Sequence, residues 1–242
     1  MCINTPMRTL AAQAQSLFDL TLTPEQAAAF DTYAALLVEW NSRMNLTAIT
    51  DAEGIQVRHF LDSLSVATAL PRAENLRLID VGTGAGFPGL PLKIVFPDIQ
   101  LTLLEATGKK LNFLREVCEA LNLRGVEFLH ARAEEAGQMR DQRAAYDVAV
   151  ARAVARLPAL LEYLLPLVKV GGYALAMKGR TAQAEAEDSS HALKELGGQL
   201  VAIDEIQLPA LDEPQYLVRV EKIAHTPNPY PRKPGMPSNA PL

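Results

Sequence analysis

The sequence predicts an α/β fold: a wound, mostly parallel sheet that ends in an antiparallel hairpin and is preceded by an N-terminal helical extension. Three observations carry this expectation. From Leu76 onward, short apolar runs alternate with helical segments, the pattern of strands joined by helical crossovers. The first of these runs closes on Asp80 and gives way to Gly82, Gly84, Gly86 and Gly89, the kind of turn by which an open α/β sheet brings backbone close to a nucleotide-like ligand. The last two apolar alternations, Leu200 to Leu208 and Tyr216 to Ile223, are joined only by Pro209 to Pro214, and so short a connection pairs strands antiparallel.

Taken in order, residues 7–45 read as helices. Thr23-Pro24-Glu25-Gln26 is a helix start, because Thr caps, Pro suits the first turn, and Gln three residues on completes a capping box. Phe30, Tyr33, Ala34, Leu37 and Trp40 recur at helical spacing and are expected in the core. A second helical patch holds Val57, Leu61, Leu64 and Val66, with Arg58, His59 and Asp62 between them. A lone His beside Asp62 is read as a structural hydrogen bonder in preference to a catalytic base. Strands are predicted near 76–81, 99–105, 126–130, 146–151 and 172–178, with helices near 88–96, 108–122, 133–138, 156–169 and 181–196. The last eighteen residues hold six of the sixteen prolines together with Arg232 and Lys233, so an extended tail is expected, either disordered or laid across the body. Three regions result: a helical extension over 1–70, a sheet domain over 71–225 and a Pro-rich basic tail over 226–242.

Composition excludes several classes. With 49% apolar and 21% charged residues in 242, the chain can build a real core. Two cysteines, Cys2 and Cys118, are too few for a disulfide framework or a zinc cluster, and Cys118 shares a helical face with Leu111, Leu114 and Leu121. No metal site is expected. Gln13, Gln15 and Asp19 interrupt any secretory signal, and no apolar run is long enough to span a membrane, so a cytoplasmic location is expected. A net charge of −5 does not resemble an autonomous nucleic-acid binder. Residues 132–180 nonetheless carry eight Arg or Lys against five acids, which leaves room for a locally basic face.

The glycine loop satisfies two patterns at once. Gly84-Ala85-Gly86-Phe87-Pro88-Gly89 matches the dinucleotide fingerprint, whereas Asp80-Val81-Gly82-Thr83-Gly84-Ala85-Gly86 matches the acidic glycine motif of S-adenosylmethionine-dependent methyltransferases. The second is favoured. A pyrophosphate needs free N–H groups at the helix N-terminus, and Pro88 and Pro91 each remove one. A cationic, phosphate-free donor welcomes a carboxylate such as Asp80, which a pyrophosphate would not. The apolar strand also abuts Gly82, in register with the methyltransferase frame. Glu105, ending the second strand, is placed to accept from ribose hydroxyls, and Ala133-Glu134 stands after the third strand where an adenine edge would lie. The expected architecture is therefore a Rossmann-like methyltransferase sheet with S-adenosyl-L-methionine as cofactor.

After the fourth strand come Ala151-Arg152-Ala153-Val154-Ala155. The Pro-Pro-Tyr motif that positions an exocyclic amine is missing, as are a Pro-Cys nucleophile and a cluster of acids for a metal. The acceptor should be nucleophilic unaided, and guanine N7 qualifies, since it has no proton to lose and needs only alignment with methyl and sulfur. Arg152 is singled out either as a contact to donor or substrate, or as an ion-pair partner of Asp147 or Glu134 that shapes the pocket.

These motifs, with Lys109-Lys110-Leu111-Asn112-Phe113-Leu114, Tyr230-Pro231-Arg232, Trp40-Asn41, Asn45-Leu46-Thr47 and His59-Phe60-Leu61-Asp62-Ser63-Leu64, resemble the bacterial small-subunit ribosomal RNA guanine-N7 methyltransferases, once called glucose-inhibited division protein B. The resemblance covers nearly the whole chain. It implies methylation of N7 of one guanine in the 530 loop of 16S ribosomal RNA in the bacterial cytoplasm. The RNA, or the small ribosomal subunit particle, is the implied partner, and a monomer is expected. It implies donor contacts at Gly82, Phe87, Ala133, Glu134 and Arg152, beside Asp80, Gly84, Gly86 and Glu105 from the loop and strand ends. Glu105-Ala106-Thr107-Gly108 departs from the family's more usual acid-Ser ahead of the double Lys. A small-molecule methyltransferase, an NAD-binding oxidoreductase and a non-catalytic RNA-binding or assembly factor are the alternatives to be tested.

Overall fold

A computed structural model describes residues 6–242; Cys2 lies outside the described residues. Two helices open the chain, α1 (Pro6–Phe18) and α2 (Pro24–Asn41). Thr23 and Gln26 form the expected capping box, and the Gln26 amide also donates to Ile94 O and Val95 O. One side chain thus starts α2 and ties it to the end of another helix. Next comes a continuous helical stretch that changes winding: α3 (Ala52–Gly54), a π-helical segment Ile55–Leu61, α4 (Asp62–Ser65) and a 3-10 turn Val66–Ala69. The expected helical patch is present, but in the wider π winding, which often marks functional positions.

The strands are β1 (Arg77–Val81), β2 (Gln100–Glu105), β3 (Val126–His130), β4 (Tyr146–Arg152), β5 (Val168–Lys178), β6 (Gly198–Ile206) and β7 (Gln215–Lys222). Between or after them lie α5 (Gly89–Val95), α6 (Gly108–Ala120), α7 (Ala133–Ala136), α8 (Leu157–Leu164), α9 (Ala182–Glu187), α10 (Ser190–Leu196) and α11 (Met236–Asn239). They form one seven-stranded sheet in the order β3-β2-β1-β4-β5-β7-β6. The first five strands run parallel. The terminal hairpin is antiparallel as expected, with β7 inserted between β5 and β6.

Alternate strand residues feed two cores, as the period of two demands. Leu78, Leu101, Leu103, Val148, Val150 and Leu175 face α2, α5, α6 and the 55–66 helical stretch, meeting Phe30, Tyr33, Leu37 and Phe60. Ile79, Val81, Leu104, Ala149, Ala174 and Val220 face α8 and α10 on the other side. Cys118 is buried in the first core, where desolvation pushes its thiol up to about 12.

Two expected boundaries change. The helix anticipated over 156–169 ends at Leu164, and β5 starts at Val168, pairing Tyr146 before the Gly171-Gly172 bend. The helix anticipated over 181–196 is broken into α9 and α10, with the Ser189 hydroxyl donating to Glu185 O at the break. Such a local side-chain bond competes with helix continuation. The tail is laid across the body, and it ends in a short helix, α11, that periodicity did not indicate. Among the described residues no helix is long and apolar enough to cross a membrane.

Candidate active site

The strand order reverses between β1 and β4, and ligands in open α/β sheets sit outside the carboxyl ends of the strands at such a switch point. Five groups reach this edge: the glycine loop after β1, Glu105 at the end of β2, Glu134 after β3, Arg152 at the end of β4 and Lys178 at the end of β5.

The glycines of the loop do different jobs. Gly82, Gly84 and Gly86 all have positive φ, at 69°, 60° and 98°. A Cβ on Gly84 would meet only Gly82 O at 3.9 Å, so this residue borders open space. A Cβ on Gly82 would lie 2.8 Å from Val154 Cγ2, which places the segment after β4 directly against the loop. Gly86 is buried instead, its absent Cβ replaced by Leu90 Cδ1 at 2.7 Å and the Tyr33 hydroxyl, which donates to Ala85 O. Gly89 is needed for close approach: a Cβ would fall 2.8 Å from Asp80 Oδ2 and 2.9 Å from Leu103 Cδ2. Gly82 and Gly84 thus line the crevice, while Gly86 packs the loop onto α2.

Asp80 is wholly buried and organises the loop from beneath. Its Oδ2 accepts from Thr83 Oγ1 at 2.6 Å and from Gly89 N at 2.8 Å, while Oδ1 has no hydrogen-bond partner. Desolvation raises its pKa to about 6, against these two bonds and the Arg152 charge. Glu105 holds the loop from the side, accepting from Gly84 N at 3.1 Å and Thr107 N at 2.8 Å. An ionised carboxylate has about four acceptor sites, so capacity for a diol remains.

Most of the loop's N–H groups are otherwise used within the chain. Those of Gly82 and Thr83 donate to Leu104 O, those of Gly86 and Phe87 to Thr83 O, and that of Leu90 to Gly86 O. Pro88 caps α5 and Pro91 sits in its first turn. The helix N-terminus therefore leaves a pyrophosphate few of the free donors it needs. A phosphate-free donor fits.

The loop's Phe87 is the centre of a stacked cluster. Tyr33 and His59 each stack on its ring with centroids 5.4 and 4.6 Å away, and the Arg152 guanidinium lies 5.0 Å from the centroid. Arg152 donates to Arg58 O at 2.8 Å and to Asp62 Oδ2 at 2.9 Å, and its Nη2 is 3.3 Å from His59 Nδ1. The same ring nitrogen lies 3.2 Å from Arg58 O, so Nδ1 faces a donor and an acceptor at once, while Nε2 meets Thr47 Oγ1 at 2.8 Å. Burial, then the Arg152 charge, lowers the His59 pKa to about 4, keeping the ring neutral. Desolvation raises the Asp62 carboxyl, with Arg152 opposing.

Arg152 therefore pairs with Asp62, and not with Asp147 or Glu134 as the sequence suggested. Asp147 points to the opposite end of β4, where it binds Lys169 and accepts from Arg77 N. Glu134 accepts from Gly235 N at 2.8 Å. His59 is a hydrogen bonder, as expected, but its partners are Thr47, Arg58 O and Arg152 and not Asp62. What sequence reasoning missed is that Arg58, His59 and Asp62 converge on Arg152. Their spacing of one and three residues within a helical patch was the available signal; the residue they grip lies ninety positions later. A polar recess of about 320 Å3 opens beside the pair, lined by Arg58, Asp62, Asp212, Glu213 and Gln215.

The sheet order, the crevice at its switch point and a loop closed to phosphate define the class: a Rossmann-like methyltransferase that uses S-adenosylmethionine. A solved structure titled a SAM-dependent methyltransferase from Aquifex aeolicus shares the fold, with TM-score 0.54 and 16% identity over 77% of this chain and 98% of that one. Within that class, the family model for rRNA small subunit methyltransferase G (GidB) matches residues 26–211. Relatives named ribosomal RNA small subunit methyltransferase G include one from Alkaliphilus metalliredigens, 52% identical over 87% of this chain and 88% of its own length. Another, from Acetivibrio thermocellus, is 49% identical over 98% of this chain and 97% of its own. The chain belongs to the rRNA small subunit methyltransferase G family.

Proposed function

We propose that this chain methylates N7 of a guanine in the 530 loop of 16S ribosomal RNA, presented as free RNA or as a small-subunit particle. The relatives' names supply the ribosomal RNA; the acceptor atom rests on the residues. The observation that carries the reading is Arg152, held by Asp62, Arg58 O and His59 over Phe87 where the loops after β1 and β4 meet. The donor, when bound, supplies an electrophilic methyl on a sulfonium. Gly82 and Gly84 give it backbone contact, Glu105 accepts from its ribose, and Ala133 with Glu134 borders its adenine. Asp80, Gly86 and Phe87 hold the loop in shape beneath it, with Phe87 carrying Arg152.

Guanine N7 has no proton to lose, so a neutral His59 whose pKa is lowered to about 4 packs on Phe87 beside Arg152 with no proton to move. Arg152 positions and excludes water, its charge balanced by Asp62. The recess beside Asp62 is where we place the approach of a base drawn out of its stack. On this reading residues 71–225 form the catalytic domain, 1–70 its helical extension and 226–242 its tail, acting as a cytoplasmic monomer. The test is mass spectrometry of nucleosides after incubating the purified protein with S-adenosylmethionine and 16S RNA or small-subunit particles lacking the modification. The expected product is 7-methylguanosine; methyl transfer to neither substrate would sink the proposal.

A further inference from the structure

The tail from Thr226 to Leu242 is a sequence feature that the reaction as described does not use. It is nevertheless anchored to the body at many points. Arg143 donates to the carbonyls of Thr226, Pro227 and Tyr230, as well as to Gly137 O. Gln138 donates to Asn228 O and Pro231 O. Gly137 has no room for a side chain because Pro231 Cγ would lie 2.6 Å from its Cβ. Arg232 then grips Glu162 of α8, a fully buried carboxylate, through its own amide at 2.7 Å and through Nε and Nη2 at 2.9 and 2.6 Å.

This geometry delivers the next residues to α7. Gly235, in the left-handed region at φ 85°, donates its N–H to Glu134 Oε1 at 2.8 Å, and Ser238 meets the Tyr163 hydroxyl at 2.7 Å. Glu134 is 6% exposed, on a helix of four residues that cannot hold its own orientation. A buried carboxylate on so short a helix takes its rotamer from whatever donor reaches it.

We infer that the tail is a strap that positions Glu134, so that residues 234–242 belong functionally to the donor site although they lie more than a hundred positions from the glycine loop. The inference rests on the reading that Glu134 borders the donor adenine. Gly235 is then a positioning residue: it touches Glu134, and Glu134 touches the donor. Arg232 and Glu162 set the strap's reach, and the basic character of Arg232 is used inside the protein.

The experiment is calorimetric titration of the full chain with S-adenosylhomocysteine, compared with a chain ending at Lys233, the Glu134→Ala chain and the combination. Ending at Lys233 keeps the grips of Arg143, Gln138 and Glu162. Loss of a charge-assisted hydrogen bond should weaken binding about tenfold. In the combination, the truncation should add almost nothing to Glu134→Ala in affinity, because the Gly235–Glu134 bond is the route by which both reach the donor site. The Ser238–Tyr163 and Arg232–Ala240 O bonds that truncation also removes tie the tail to α8 and to itself. A truncated, folded chain that binds as tightly as the parent overturns the inference, as does a loss that adds in full to that of Glu134→Ala. Should truncation unfold the protein, Gly235→Ala in the full chain substitutes for it. Its Cβ has space, with Asn239 Nδ2 at 3.8 Å, yet φ 85° is strained, so the N–H must shift. A several-fold loss of affinity is expected, and none would overturn the inference. A parent that binds no S-adenosylhomocysteine overturns the donor-site reading itself, and the strap's role with it.

Discussion

Replacing Gly84 by Ala separates donor binding from folding. The backbone there has φ 60°, so a Cβ costs about 1–2 kcal/mol of left-handed strain. Nothing else resists it, because the only atom within 4 Å is Gly82 O at 3.9 Å. For a chain of this size the melting temperature should fall by about 2–4 °C per kcal/mol, leaving the protein folded. The new methyl stands in the space assigned to the donor, and binding should weaken at least about tenfold, or about 1.4 kcal/mol. Gly86→Ala makes the contrast. Its Cβ would meet Leu90 Cδ1 at 2.7 Å and the Tyr33 hydroxyl, so overpacking of about 1–3 kcal/mol adds to the strain. Urea unfolding and calorimetric titration with S-adenosylhomocysteine read the two effects apart. Gly84→Ala should be close to parental in the first and weak in the second, with Gly86→Ala damaged in the first. A folded Gly84→Ala chain with unchanged affinity refutes the placement of the donor over Gly84.

Other expectations follow from the same geometry. Asp80 has a folded pKa of about 6 against 3.8 when free, so the unfolded chain releases its proton first. Stability from this group is therefore greatest below pH 3.8, declines between there and about 6, and then stays lower by about 3 kcal/mol. Asp80→Asn, whose amide oxygen still accepts from Thr83 and Gly89, should flatten that decline in urea midpoints measured from pH 4 to 7. Arg152→Lys cannot reach Arg58 O and Asp62 together while lying flat on Phe87, so methyl transfer should fall nearly as far as in Arg152→Ala; parental turnover by the Lys chain would contradict the planar grip. Glu185 is buried, pairs with Lys178 at 2.7 Å and accepts from Leu157 N. Glu185→Ala should lose about 3–5 kcal/mol in urea unfolding, and a loss below about 1 kcal/mol would show the pair to be dispensable.

The class of fold, the loop and the kind of ligand were legible in the chain alone, because each depends on neighbours in sequence. Strand and helix periods are local, as is the antiparallel consequence of a short connection between β6 and β7. So is the effect of Pro88 and Pro91 on a helix N-terminus, and the structure extends it by showing most of the remaining loop N–H groups bonded internally. Helix ends were less legible: Ser189 breaks a helix through a bond to Glu185 O that no periodicity displays.

Which side chains meet could not be read that way. Asp80 matched the motif as a donor contact, yet it is wholly buried and holds Thr83 and Gly89; whether an acid at a strand end points outward depends on the packing around it. Gly84 and Gly86 are alike in sequence, and only the position of Tyr33, some fifty residues earlier, makes one a wall of the crevice and the other a packing contact. The partner of Arg152 was sought on its own strand and on α7, and it stands instead on α4, brought there by folding of the N-terminal helices against the first core. Charge pairing over such separations follows no period. It is set by the closure of the whole fold, which is why the glycine loop could be read from the chain while the grip on Arg152 and the strap on Glu134 could not.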